Sequence, residues 1–396
     1  MMFATRGGHL LAVLALLLAH AGVGAATPVV PAGDDDVADV LAAPTVRRST
    51  ATMTAGIPVD TAAVARQVRG AIGLARQTGD SRYWGRAQAL LHASWDRTDA
   101  PVDLLQLQAT VQQGRHEFDA ARRILEALVV RAPERPQVWL DLAALDRLQA
   151  RYAATLRACD AVERAGAALY GQACRLETVS LQGRHADATQ GLQALVQASQ
   201  DPGQRSWLLS LWAEALERAG RDAPALVAYR DSLRMQADLY TAVALSDLLL
   251  RTGQLQPALK VLQPLPRTDA VLLRQAAAMR RLDDPRWQSL RAELRTRAEE
   301  LLRRGDDPDL HGREAALVRL WLDDDPAGAL VLARRNLELQ REPLDWWLVL
   351  HSAALAHDSG AWAQLQAQRK AVGLQDRRID ALRAPAASAQ VKVRGE

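Results

Sequence analysis

The residues of this chain with chemistry to offer are few: two cysteines, a scatter of histidines, and two acidic runs ahead of proline. His92, His116, His185, His311, His351 and His357 include no pair at i, i+3 or i+4, and there is no HExxH and no Cys–His cluster, so no metal-ligand set is expected. His116 and His185 read as residues of inter-helix turns. Asp283-Asp284 before Pro285 and Asp323-Asp324-Asp325 before Pro326 could hold a cation weakly, but such runs are far more often turns and helix caps, because aspartate accepts from free amides at a helix start. There is no glycine-rich phosphate loop and no G-x-S-x-G elbow. With no catalytic residues and no cofactor site in view, the expectation is a protein that binds rather than catalyses.

The elements that carry these residues are announced by a repeat. Leu105, Ala109, Ala121, Leu125, Leu128 and Pro133 recur 34 positions later as Trp139, Ala143, Thr155, Cys159, Val162 and Ala167. A period near 34 is that of a helix–turn–helix array. Further units have turns at Gly183, Gly220 and Gly253, each followed five residues later by a small residue, Ala188, Ala225 and Ala258. A small residue lets two helix axes approach, and glycine supplies the left-handed turn. Gly114-Arg115-His116 marks the turn of the unit starting at Val102, and Pro133 stops its second helix. The spacing predicts an all-α, right-handed α-solenoid of about nine antiparallel helix pairs. It spans 60–265, with clear repeats over 102–265, and degenerate helical repeats follow over 266–383. Beyond 265 the expected breaks fall at Asp283-Asp284-Pro285 and at Asp323-Asp324-Asp325-Pro326, and a short capping helix is expected within 374–382.

Composition agrees. Apolar residues make up 49% and aromatics 4%, so the core must be built of Ala, Leu and Val, which suits close-packed helices. The net charge of +3 is spread among balancing acids and shows no nucleic-acid footprint. The amino terminus reads as a signal peptide over 1–25: Arg6, the apolar run Leu10–Ala19, then Val23-Gly24-Ala25 before a cut at Ala26. The run is too short to span a bilayer, although it could serve as an uncleaved anchor. Residues 26–59 read as a disordered leader and 384–396 as a disordered tail. The mature chain is therefore expected to be exported, most simply to the periplasm, with no transmembrane segment.

The register places Cys159 on a second helix and Cys174 on the following first helix, each about two turns from the bend near Gly166. Two readings fit: a disulfide across the turn, or two small core residues, since position 159 matches the apolar slot of Leu125.

With Trp139, Ala143 and Tyr152 in the first-helix and turn positions, Ala121, Ala188, Ala225 and Ala258 at the small-residue position, Leu125, Leu192, Tyr229 and Leu262 four residues on and Pro133 at the unit's end, the chain resembles the tetratricopeptide repeat (TPR) family. It also resembles exported bacterial TPR proteins of unassigned role. The resemblance is strong over 102–265. It departs from the family in having Ala or Ser where glycine is common, and in lacking most terminal prolines. It implies that first helices line a concave surface. On that surface Tyr170, Trp207 and Tyr240 share one register position, Glu177, Glu214 and Asp247 another, and Glu217 lies one turn further. Such rows would suit a basic or aromatic peptide. Alternatively, the aromatics pack the seam between repeats and the acids pair with nearby arginines. The expected function is an exported scaffold for a protein or peptide partner. The competing expectation is a carbohydrate or envelope-polymer binder, which exposed Trp84, Trp95, Trp346 and Trp347 would favour.

Overall fold

The structure, a computed structural model, describes residues 60–304 and 312–385. The signal peptide, the leader through residue 59, the tail from 386 onward and His311 lie outside those residues. The described chain is helical throughout, and its only β feature among the described residues is an isolated bridge between Gln182 and Gln375.

Among the described residues, eighteen helices pair into nine hairpins. The first six are α1 (Thr61–Thr78) with α2 (Arg82–Leu90), α3 (Val102–Gly114) with α4 (Phe118–Arg131), α5 (Pro136–Leu148) with α6 (Tyr152–Arg164), α7 (Ala168–Leu181) with α8 (His185–Ala198), α9 (Pro202–Arg218) with α10 (Asp222–Met235), and α11 (Leu239–Arg251) with α12 (Leu255–Leu262). The last three are α13 (Asp269–Arg281) with α14 (Trp287–Arg303), α15 (Gly312–Trp321) with α16 (Pro326–Leu339), and α17 (Pro343–Leu355) with α18 (Ser359–Val372). A single turn, α19 (Arg377–Asp380), ends the array. The protein is a TPR-like α-solenoid.

Local chemistry sets the boundaries. Asp60, Asp201, Asp238, Asp325 and Asp358 each accept a backbone amide at a helix start. Proline occupies the first turn of α5, α9, α16 and α17, where its missing N–H costs nothing. The small residues picked out by the repeat, Ala121, Ala188, Ala225 and Ala258, are fully buried at helix crossings, and Leu125, Leu192, Tyr229 and Leu262 fill the space beside them.

Gly114 departs from its expected role. It is the last residue of α3, and the left-handed turn residue is His116, at φ 61°. Gly114 is small because the Trp84 indole of the preceding hairpin lies against it. A Cβ there would stand 2.4 Å from that ring.

Cys159 and Cys174 form a disulfide between α6 and α7, with Cα atoms 5.6 Å apart. Cross-linking across a loop of this size stabilises by about 3 kcal/mol in the loop-entropy model. Beside it, Gly171 lets α7 approach α6, since a Cβ there would lie 2.8 Å from the Cys159 carbonyl oxygen.

The array also returns onto itself. The Arg341 amide donates to the Leu148 carbonyl at 2.7 Å, and the Gln375 amide donates to the Leu181 carbonyl at 2.8 Å. Leu374 and Ile379 are buried in one apolar cluster with Leu181, Leu272 and Trp346. Arg378 then reaches Glu217 at 3.2 Å, across 161 positions of sequence. Residues 374–382 thus clasp the middle hairpins. No helix among the described residues is long and apolar enough to cross a membrane.

Candidate functional site

First helices of successive hairpins touch one another along the array, α5 with α7, α7 with α9, α11 with α13. Their shared face carries the residues that the register aligned. Tyr170 and Trp207 meet, with ring centroids 5.4 Å apart, and Gln204 donates to the Tyr170 hydroxyl at 3.2 Å. Both rings line an open groove of about 700 Å3 with Leu140, Asp141 and Leu211. Trp207 is 37% exposed there. Asp141 lines the same groove, held by Gln106 and Gln137, and burial pushes its carboxyl above the usual carboxylate range. Tyr240 stands apart from the pair and donates to Glu214 at 2.9 Å.

The acidic row is present but already neutralised. Glu177 pairs with Arg147 at 2.8 Å, and Asp247 accepts two bonds of 2.7 Å from Arg274. Glu214 accepts from Tyr240 and lies 3.4 Å from Arg218; burial pushes its carboxyl upward against the pull of that cation. Glu217 does not face the open groove. It is buried under the clasp, where it accepts from Arg251, Arg378 and Tyr229. Its burial raises the carboxyl's affinity for a proton, and the two arginines oppose that. Of the two readings of the acidic row, the arrangement fits the one in which the acids pair with nearby arginines: each of the four has its partner. The reason is the density of arginine on the same face. Register could have shown one of these arginines, because Arg147 holds in its own unit the position Glu217 holds two units later. Arg274 and Arg378 carried no such signal.

Further along the hollow lie two adjoining cavities, of about 480 and about 260 Å3, which share Glu217, Asp247, Pro343, Leu344 and Arg378. The larger is walled by Trp321, Trp347 and His351. His351 stacks on Trp347 with centroids 4.7 Å apart, and burial holds its imidazole below the usual histidine range. The smaller is lined by alternating arginines and acids, among them Arg147, Glu214, Arg274, Arg313 and Glu342.

The tryptophans expected to mark a sugar-binding strip do not form one. Trp346 is 1% exposed, Trp84 and Trp95 pack on the core of the first hairpins, and Trp347 turns into the hollow. The acidic runs serve as turns and caps: Asp283 and Asp324 are the left-handed residues, and Asp325 caps α16. Among the described residues no group of three or more His, Cys, Asp or Glu is arranged to hold a metal ion.

No family model matches the chain, and no curated protein matches it. Among solved structures it is similar to a Rap protein complexed with competence and sporulation factor, at 9% identity, covering 80% of this chain and 86% of that one, with a TM-score of 0.47. It is also similar to the TPR domain of P58(IPK), at 14% identity, covering 79% of this chain and 95% of that one, with a TM-score of 0.24. Both overlaps are loose, and the fold rests on the chain's own helix order and turn spacing.

Proposed function

We propose that this protein is an exported scaffold that holds an extended segment of another protein along its first-helix groove. The observation that carries the reading is the Tyr170–Trp207 pair facing an open groove in which Glu177 is paired with Arg147 and Asp141 is held by Gln106 and Gln137. A surface of that kind gains its binding energy from aromatic and apolar contact, as interface cores do, and little from new ion pairs. The preferred ligand is therefore a segment with aromatic or aliphatic side chains at alternate positions rather than a basic one.

Export is supported by two features: the apolar run Leu10–Ala19 ahead of a small-residue cleavage pattern, and a disulfide of the kind that persists in oxidising compartments. The periplasm is the simplest destination.

Affinity capture from the envelope fraction tests the reading. Trp207→Ala together with Tyr170→Ala should lose the captured protein. Exchanging Glu177, Glu214 and Asp247 for lysine should act mainly by disturbing the fold. Full retention of the partner by the double alanine variant would sink the groove, and an unprocessed chain found in the cytoplasm would sink export.

A further inference from the structure

The 480 Å3 cavity is built differently from the groove. Its wall is mostly apolar, formed by Leu250, Ala277, Leu320, Trp321, Leu344 and Trp347 from four different hairpins. Its volume lies in the range of ligand pockets, roughly 300–1,000 Å3. Arginines and acids stand around it, and nearly all are used up. Arg251 is held by Glu217 and Asp222, Arg280 by Asp324, Arg378 by Asp376 and Glu217, and Asp247 by Arg274. Arg281 is the exception. Its guanidinium donates to the Leu250 carbonyl at 2.6 Å and meets no carboxylate among the described residues. The cavity is thus an aromatic-walled apolar chamber with one uncompensated, exposed cation at its edge.

We propose that this chamber seats a bulky apolar side chain of the bound protein segment, with a carboxylate next to that side chain held by Arg281. The proposal rests on the scaffold reading and adds the chemistry of the partner. The apolar wall excludes a polar or charged group from the interior, because a buried unpaired charge is costly. The edge selects an anion, because a carboxylate on arginine forms paired charge-assisted bonds. Burial lowers the His351 imidazole below the usual histidine range, which disfavours a further cation beside Trp347.

The test uses the full chain and fluorescein-labelled Gly-Ser-Gly-Trp-Asp-amide, read by anisotropy, beside the same peptide with Asp changed to Asn or Trp changed to Ala. Each change should weaken binding by about tenfold or more. Arg281→Glu, at an exposed position, should abolish the preference for Asp over Asn and leave the preference for Trp. Ala277→Leu, which fills the chamber, should abolish the preference for Trp. Unchanged preferences in both variants, or no binding of any peptide at millimolar concentration, overturn the assignment. So does Arg281-dependent binding of dodecanoate without peptide binding, which would make the chamber an acyl-chain site. Partner capture through Trp207 is measured in the same variants: if it persists while the peptides fail, the chamber assignment falls and the scaffold stands.

Discussion

The hairpins of α7–α12 and those after residue 265 bend through the same turn conformation and reach it with different residues. In α7–α12 each hairpin bends on glycine in the left-handed conformation, at Gly183, Gly220 and Gly253. In α13–α18 the same conformation is taken by Asp283, Asp324 and His357. A side chain in that conformation costs of order 1–2 kcal/mol. Aspartate tolerates it better than most residues, and here the acidic runs are also tied down by arginine. Arg280 binds Asp324, Arg286 binds Asp284, and Arg291 and Arg295 converge on buried Asp323. Buried alanines and ion pairs run through both sets, Arg122 with Asp146 and Arg251 with Asp222 among the earlier; the disulfide belongs to the earlier units and the C-terminal clasp to the later ones. A turn can be specified by what is missing from it or by what it binds, and only the first kind leaves a simple periodic mark.

The contrast can be broken most forcefully at the clasp. Ending the chain at Gly373 removes Leu374 and Ile379 from the core, which at about 1.5–3 kcal/mol each should cost about 3–6 kcal/mol in urea unfolding. An unchanged midpoint would mean that the later hairpins stand without it. Asp345→Ala should cost about 3–5 kcal/mol, because it takes one of the two carboxylates from part-buried Arg313, leaving it only Glu342, and removes the acceptor for buried Asn336 and for the Glu342 amide. Equilibrium unfolding of that variant should show the loss, and a cost below 1 kcal/mol would show that water reaches the site freely. Replacing Cys159 and Cys174 together by serine should cost about 3 kcal/mol, with faster amide exchange confined to the earlier units. Uniform loss of protection along the chain would contradict that confinement. The turns themselves give a smaller and more direct test. Gly253→Ala should destabilise by about 1 kcal/mol through conformation alone, since nothing lies within 4 Å of the new methyl group, whereas Asp283→Gly should be neutral or stabilising. If both substitutions destabilise equally, the two kinds of turn are not equivalent after all.

The smallest effect concerns pH. Burial lowers the folded-state pKa of His351 below its ordinary value. The unfolded chain therefore takes up a proton first, and the stability this residue contributes is present above the ordinary histidine pKa and is lost as pH falls below it. Thermal unfolding between pH 7.5 and 5 should show a shallower decline in His351→Phe than in the parent. Identical slopes would remove His351 as a source.

What could be read from the residues follows the same division. Ala121, Ala188, Ala225 and Ala258 with their glycine turns gave the fold and its register, because close helix crossing demands small residues at fixed intervals. Asp283 and Asp324 were readable as turns for a different reason, being aspartates ahead of proline. Gly114-Arg115-His116 was legible as a turn, but which of the three takes the left-handed conformation was not, since a glycine made small by the Trp84 ring looks the same as one required by a turn. The Tyr170–Trp207 pair was legible from register. The neutralisation of the acids was only partly so, since Arg274 and Arg378 come from elements with no register relation to Asp247 and Glu217. The short capping helix within 374–382 was legible, but its contact with the middle hairpins was not, because Arg378 and Glu217 lie 161 positions apart in the chain.

That return contact bears on how the molecule unfolds. A stack of hairpins touching only their neighbours can fray from its ends, each unit opening nearly on its own. Bonds from Gln375 to Leu181 and from Arg378 to Glu217 tie the last unit to the middle ones, so loosening the end also strips cover from the centre. The intact chain should therefore unfold in one steep urea transition, and the chain ending at Gly373 in a broader one. Cooperativity in this solenoid is expected to rest on the few residues from Leu374 to Leu382.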